Sequence, residues 1–321
     1  MQLFVALWSR RVYKESWKWD DWGRLFLLEC ATLHARMRIP YEIRSQKTKS
    51  FNSIFVAPEY YFSAQRGADT DPRAIEKDAK DQILVKLKAM SQYHEGTILV
   101  PGTISYRKSL TALRVPKALA ALKAPNPGKS FQGTEEDNVK HGVSIKTWNQ
   151  KVAALNNLKA GSTAKENDIV TNKTYVFLNG EKIFTYSKKT DVYETVGPES
   201  GMFVPGKESK TCSTTIDAVP FAFEICGDHE MGVLGAQSRK RLFTAPRIHV
   251  ICSAFVETKP QNSPVVNGGF IVHASSEQRI TTVMLNDNGN FKADGSPSIV
   301  KHPFTDTVNG DPIEYWTISW T

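Results

Sequence analysis

Short apolar runs that stop abruptly at a polar or charged residue recur along this chain. Residues 2–8, 53–57, 97–104, 219–225, 248–255 and 270–274 are rich in Val, Ile, Leu and Phe. Runs of this length and composition predict buried strands. Between them lie segments of a different period. Asp20-Asp21 precede apolar positions spaced along 22–37, which predicts an amphipathic helix capped by aspartate. Asp71-Pro72 opens a second helical pattern through Ile75, Ala79, Ile83, Leu84, Leu87 and Met90. Strand and helix in alternation predict an α/β fold with helices covering the sheet. Two strand-like runs flank Asn179-Gly180, a strong hairpin signal. Residues 281–287 and 313–320 nearly alternate, and the aromatic tail reads as a late strand or an oligomer contact.

Residues 107–170 break this pattern. A basic, leucine-spaced stretch is interrupted by Pro116, a breaker cluster follows at Pro125-Asn126-Pro127-Gly128, and the remainder is polar. The hairpin after it resumes the fold, so the expectation is one domain over 1–321 with an insertion at about 107–170. A lid or packed surface helix is the plainer reading of that insertion. A basic amphipathic stretch lying on a membrane surface or a partner is the other.

Composition narrows the class. The 321 residues carry 41 Lys and Arg against 33 Asp and Glu, a net charge of +8, yet no basic block of the kind that marks nucleic-acid binding stands out. The four cysteines, Cys30, Cys212, Cys226 and Cys252, are irregularly spaced and form no Cys-x-x-Cys. Neither a zinc knuckle nor a disulfide framework is indicated. The apolar stretch at 2–8 is followed by Arg10-Arg11, the reverse of a signal peptide's order, and no apolar run approaches the roughly 20 residues of a membrane span. A reducing cytoplasm is expected, with secretion without a cleavable signal left open. No Gly-rich phosphate loop and no Gly-x-Ser-x-Gly elbow occur, so no cofactor is called for. His249 and His273 sit inside apolar runs and read as satisfied core histidines. Asp228-His229-Glu230 is too short a cluster to indicate a metal site by itself.

The chemistry is concentrated where strands end. Residues 53–57 run into Pro58, which cannot donate to a ladder, and the first charge beyond is Glu59. The second hairpin strand ends in Lys188-Lys189, which alternation places on opposite faces. Residues 219–225 end at Cys226, with Gly227 allowing a sharp turn. Taken alone, Cys226 also reads as a buried core cysteine. A strand-end acid, a strand-end lysine and a strand-end thiol are together the parts of a thiol hydrolase carrying its own base and cation.

Pro58-Glu59, Tyr186-Ser187-Lys188 and Cys226-Gly227-Asp228, in this order, resemble the motifs of the nitrilase, or carbon–nitrogen hydrolase, superfamily. Glu199-Ser200 and Pro205-Gly206 are similar to the Glu-Ser and Pro-Gly that the family places between its lysine and cysteine. The resemblance covers roughly residues 2–105 and 170–290. The family's Arg-Ala-x-Glu-Asn segment is not recognisable; Val266-Asn267-Gly268-Gly269 stands where its remnant is expected. Glu230 occupies the place of the family's arginine after the aspartate.

The resemblance implies a four-layer αββα sandwich and pairing into a homodimer or larger homo-oligomer. It implies a thioester on Cys226, Glu59 as general base, Lys188 stabilising the oxyanion and favouring the thiolate, and Glu199 holding the base or substrate. The expected substrate is a small amide, ureide or nitrile, with amides the broader class. Two other readings of the same residues stay open: a catalytically silent binding or effector-like protein on this fold, and an acyltransferase that passes the thioester to an amine.

Overall fold

The computed structural model describes residues 1–12, 20–46, 50–63, 74–109, 168–190, 202–207, 210–293 and 295–321. In chain order, β1 (Gln2–Trp8) is followed by helix α1 (Asp21–Arg38), the short α2 (Tyr41–Arg44) and β2 (Ser53–Val56). β3 (Ile75–Glu76) leads into α3 (Lys77–Tyr93), then β4 (Thr97–Val100) and β5 (Thr103–Ser109). β6 (Asp168–Leu178), β7 (Glu181–Ser187), β8 (Met202–Phe203), β9 (Ser213–Ile216) and β10 (Val219–Ile225) come next. Two short helices, α4 (Gly227–Glu230) and α5 (Val233–Arg239), separate β10 from β11 (Ile248–Ser253) and β12 (Phe270–Ser275). The chain closes with β13 (Thr282–Asp287), β14 (Asn290–Lys292), β15 (Ile299–Lys301), β16 (Asp306–Val308) and β17 (Asp311–Ser319).

These strands form two sheets. One runs β15-β17-β1-β2-β4-β6-β5-β3, with β16 on β17 and β7 and β8 on β6. The other runs β14-β13-β12-β11-β10-β9. Each is built on three neighbouring parallel strands, β1-β2-β4 in the first and β10-β11-β12 in the second. The aromatic tail is β17, whose residues 313–319 pair antiparallel with all of β1.

Period-two alternation sorts the side chains into layers. Leu3, Val5, Leu7, Ile54, Val56, Ile98 and Val100 of the first sheet meet Phe221, Phe223, Ile225, Ile248, Val250, Phe270 and Val272 of the second in one buried cluster. Phe51 packs edge-on to Phe221 at 5.8 Å between ring centroids, the kind of aromatic pair worth about 0.5–1.5 kcal/mol beyond its buried area. The opposite face of the first sheet, with Phe4, Phe55, Leu99 and Tyr175, packs on Leu28, Ala31 and Ala35 of α1 and Ile83 and Leu87 of α3. Helices α4 and α5 lie against β10. The result is a four-layer αββα sandwich.

Local expectations meet this architecture unevenly. Asp20 caps α1 as its position suggests, accepting from the Gly23 N–H at 2.8 Å. Asn179 and Gly180 take φ of 50° and 79°, the left-handed pair that a two-residue hairpin requires. The second helix begins at Lys77, and Ile75, expected inside it, instead pairs with Tyr106 as strand. The run at 97–104 is two strands, broken at Pro101-Gly102. Gly102 has φ +77°, and a Cβ there would stand 2.1 Å from the Pro58 carbonyl, so only glycine lets the chain pass. β5 and β6 pair up to Ser109 and Asp168, inside the bounds expected for the insertion; 110–167 lie outside the described residues.

Candidate active site

Glu59, Lys188 and Cys226 follow the carboxyl ends of β2, β7 and β10, and the fold brings all three to one place. The two sheets meet there, the Glu59 N–H donating to the carbonyl of Ser253 at the end of β11, 3.2 Å away. Lys188 Nζ lies 2.9 Å from Glu59 Oε1, and neither side chain has any solvent exposure. Asn172 on β6 donates its amide to the same oxygen at 3.0 Å, while its backbone carbonyl accepts from the Lys188 N–H at 2.9 Å. One residue therefore holds both the acid's orientation and the lysine's backbone. Asn172 carries no motif in the sequence; an amide in the first strand of the hairpin is the signal available there.

Cys226 closes the triangle. Burial first, and then the charge of the neighbouring Glu59, hold its thiol pKa well above the usual value, with Lys188 pulling the other way. Lys188 acts on the thiol in the direction expected of it, favouring the thiolate, and burial together with Glu59 outweighs it. The thiol rests protonated beside the Glu59 carboxylate. The Cys226 backbone has φ 42° and ψ −106°, outside the region a residue with a Cβ prefers. Such a residue costs of order 1–3 kcal/mol and persists only where its surroundings hold it. Its N–H is tied to the Cys252 carbonyl at 2.9 Å, and its own carbonyl accepts from the His229 N–H at 2.9 Å.

The aspartate of Cys-Gly-Asp has a structural task. Asp228 accepts from the Tyr186 hydroxyl, from the Lys189 N–H at 2.8 Å and from the Thr190 N–H at 2.7 Å. It thereby ties the turn after Cys226 to the end of β7, on either side of Lys188. Burial, only partly offset by these donors, pushes its pKa up to about 6. Gly206 of Pro-Gly serves the same strand end. Its N–H donates to the Lys188 carbonyl at 2.8 Å, and a Cβ there would lie 2.5 Å from the Ser187 carbonyl. Lys189, on the opposite face from Lys188, donates its ammonium to the carbonyls of Lys207 and Lys210. Glu199 lies outside the described residues. Val266 to Gly269 form the turn into the amino end of β12, away from these strand ends.

The other cysteines are free and differently placed. Cys212 and Cys252 are buried with pKa values pushed far up by desolvation, and Cys30 is half-buried on α1. Among the described residues no helix is long and apolar enough to cross a membrane.

No protein-family model matches the chain. No curated protein matches it either. Solved structures do. An amidase from Nesterenkonia sp. is 12% identical with a TM-score of 0.52, the alignment covering 98% of this chain and 89% of that one. A carbon–nitrogen hydrolase superfamily protein of Xanthomonas campestris, solved with an arsenic adduct in its active site, is 10% identical with a TM-score of 0.52, covering 99% and 91%. A variant of the amidase from Nesterenkonia sp. AN1, carrying the acetamide moiety of fluoroacetamide on its active-site cysteine, is 12% identical with a TM-score of 0.50, covering 99% and 89%. The fold is that of the nitrilase superfamily.

Proposed function

We propose that this chain is a carbon–nitrogen hydrolase of the nitrilase superfamily that cleaves small amides through a thioester on Cys226. The observation that carries the reading is the convergence of Glu59, Lys188 and Cys226 from three separate strand ends into one buried cluster. A structural ion pair accounts for two of these groups but not for a cysteine held at positive φ beside the acid. Amides are the broader class that the resemblance implies, and an amidase is among the solved structures that share the fold.

In this reading the Cys226 sulfur attacks the carbonyl carbon while Glu59 accepts the thiol proton. The oxygen gains the electron pair and is stabilised by Lys188 and a backbone N–H after the cysteine, a contribution that is commonly the largest in acyl transfer. Collapse breaks the carbon–nitrogen bond as Glu59 returns the proton to nitrogen, releasing ammonia or an amine. Water then attacks the thioester, its proton passing to Glu59 and on to the departing sulfur. The high resting pKa of the thiol suits this sequence, since proton transfer accompanies attack instead of preceding it. Glu199 holds the base or substrate by resemblance alone.

Ammonia release from a panel of amides, ureides and nitriles, with mass spectrometry of the trapped acyl-enzyme, tests the assignment. Turnover of amides through an adduct on Cys226 is expected. Activity confined to nitriles overturns the substrate class, an adduct released only by added amines makes the chain a transferase, and no adduct with any substrate defeats the enzymatic reading.

A further inference from the structure

The outer face of the second sheet, under α4 and α5, carries an unusual layer. Where an aliphatic surface is expected beneath helices, β10, β11 and β12 place Glu224, His249, Ser253, His273 and Ser275, each essentially inaccessible to solvent. Buried charged and polar groups are costly unless partnered, and these are partnered closely. Glu224 Oε2 accepts from His229 Nδ1 at 3.1 Å and lies 3.1 Å from His249 Nε2. Glu224 Oε1 accepts from the Leu234 N–H at 2.6 Å. His273 lies 2.7 Å from the hydroxyls of both Ser253 and Thr258.

The connectivity of this cluster points at the nucleophile. Glu224 lies two residues before Cys226, and two of its partners, His229 and Leu234, follow it. One carboxylate therefore closes the chain into a loop with Cys226 inside. His229 is fixed from behind as well: its Nε2 accepts from the Lys259 N–H at 2.9 Å, and its carbonyl accepts from Asn262 at 2.8 Å. His249 Nδ1 meets the Ser263 hydroxyl at 2.5 Å, anchoring the same stretch of chain. A cysteine at φ 42° needs such an enclosure, because a strained conformation persists only where its surroundings over-determine it.

Glu224, His229 and His249 present ligand atoms within 4.8 Å of one another, so a metal is the competing reading. It fails on the tautomer. A metal on His229 Nδ1 requires the ring proton on Nε2, and that nitrogen faces the Lys259 N–H donor. The proton belongs on Nδ1, aimed at Glu224.

We propose that Glu224, His229 and His249 form a buried clamp that sets the Cys226 backbone for attack, which makes Glu224 and His229 positioning residues for the hydrolysis inferred above. The proposal rests on that reading for its kinetic effect but not for its geometry. His229→Ala and Glu224→Gln are compared with His229→Asn, whose side-chain amide keeps a donor toward Glu224. With folding verified by circular dichroism, His229→Ala is expected to lower kcat about 10²-fold, the cost of a small misplacement of a reacting group, with KM little changed. His229→Asn is expected to restore most of the loss. Crystal structures of the variants supply the second readout: Cys226 should leave its positive φ in His229→Ala and keep it in His229→Asn. A folded His229→Ala with unchanged Cys226 backbone, or with unchanged kcat, overturns the clamp. If wild-type protein hydrolyses nothing, the hydrolase reading has failed, and the Cys226 dihedral angle in the variants still decides for or against the clamp. Binding of one equivalent of zinc or cobalt at Glu224 and His229 counts against it.

Discussion

Lys188 Nζ and Glu59 Oε1 stand 2.9 Å apart with no exposure of either side chain. A pair this deeply buried is held together because each charge needs the other: desolvating two ions costs several kcal/mol apiece, and removing one strands its partner. The arrangement keeps the acid and the lysine paired in a buried site, and it makes the site fragile to single substitutions.

Lys188→Ala is therefore expected to abolish ammonia release and to destabilise the fold by about 3–5 kcal/mol, the usual cost of an orphaned buried charge. Glu59→Gln should lower turnover by about two to four orders of magnitude. The double variant Glu59→Gln with Lys188→Met should recover stability in urea denaturation without recovering activity. Lys189→Ala, whose ammonium donates to the carbonyls of Lys207 and Lys210, should stay within several-fold of wild type.

Cys226→Ala and Cys226→Gly should both be inactive yet differ in stability. Glycine adopts φ 42° without the penalty that alanine meets there. The glycine variant should unfold at higher denaturant, by about 1 kcal/mol or more. Equal midpoints would show that the backbone at this position carries no strain, and an active Cys226→Ala protein would remove the nucleophile assignment.

Asp228→Asn exchanges one carboxylate oxygen for an amide that cannot accept, so it loses at least one of the donors from Tyr186, Lys189 and Thr190. Because these contacts hold the chain on both sides of Lys188, kcat should fall about ten-fold or more. Tyr186→Phe, which removes a single donor, should fall less. Steady-state kinetics on the best amide of the panel decides the order.

Acid should unfold the protein in two stages. Burial depresses the pKa of His249 and His273, so the unfolded chain takes up these protons first, and stability should begin to fall as pH drops below about 6.5. Glu224 adds a second stage. Burial raises its pKa, but the hydrogen bond from His229 and the His249 ring beside it together outweigh burial and lower it from 4.5 to about 2. Its contribution, about 3 kcal/mol, is present above pH 4.5 and lost as pH falls toward 2. Glu224→Gln should be less stable at neutral pH and lose the lower stage. Urea midpoints measured from pH 8 to pH 2 would show both stages.

Much of this molecule is written in local sequence. The Asp20 cap, the Asn179-Gly180 turn and the abrupt ends of the runs at 53–57, 181–187 and 219–225 are decided within a few residues. Capping, turn chemistry and side-chain period operate at that range. Those ends already name Glu59, Lys188 and Cys226. What they leave undetermined is distance and solvent. That residues 59 and 188 share a hydrogen bond, that Asn172 serves both, and that Ile75 leaves its helical pattern to pair with Tyr106 follow from sheet pairings between distant segments. The direction of the Cys226 pKa was likewise beyond the sequence, which shows a lysine and a cysteine at strand ends but not that burial and a neighbouring glutamate outweigh the lysine. His249 and His273 were legible as core histidines; their gathering with Glu224 and His229 behind the nucleophile was not. Periodicity assigns a residue to a face of a strand, whereas desolvation and long-range pairing depend on everything packed against that face, which only the folded chain supplies.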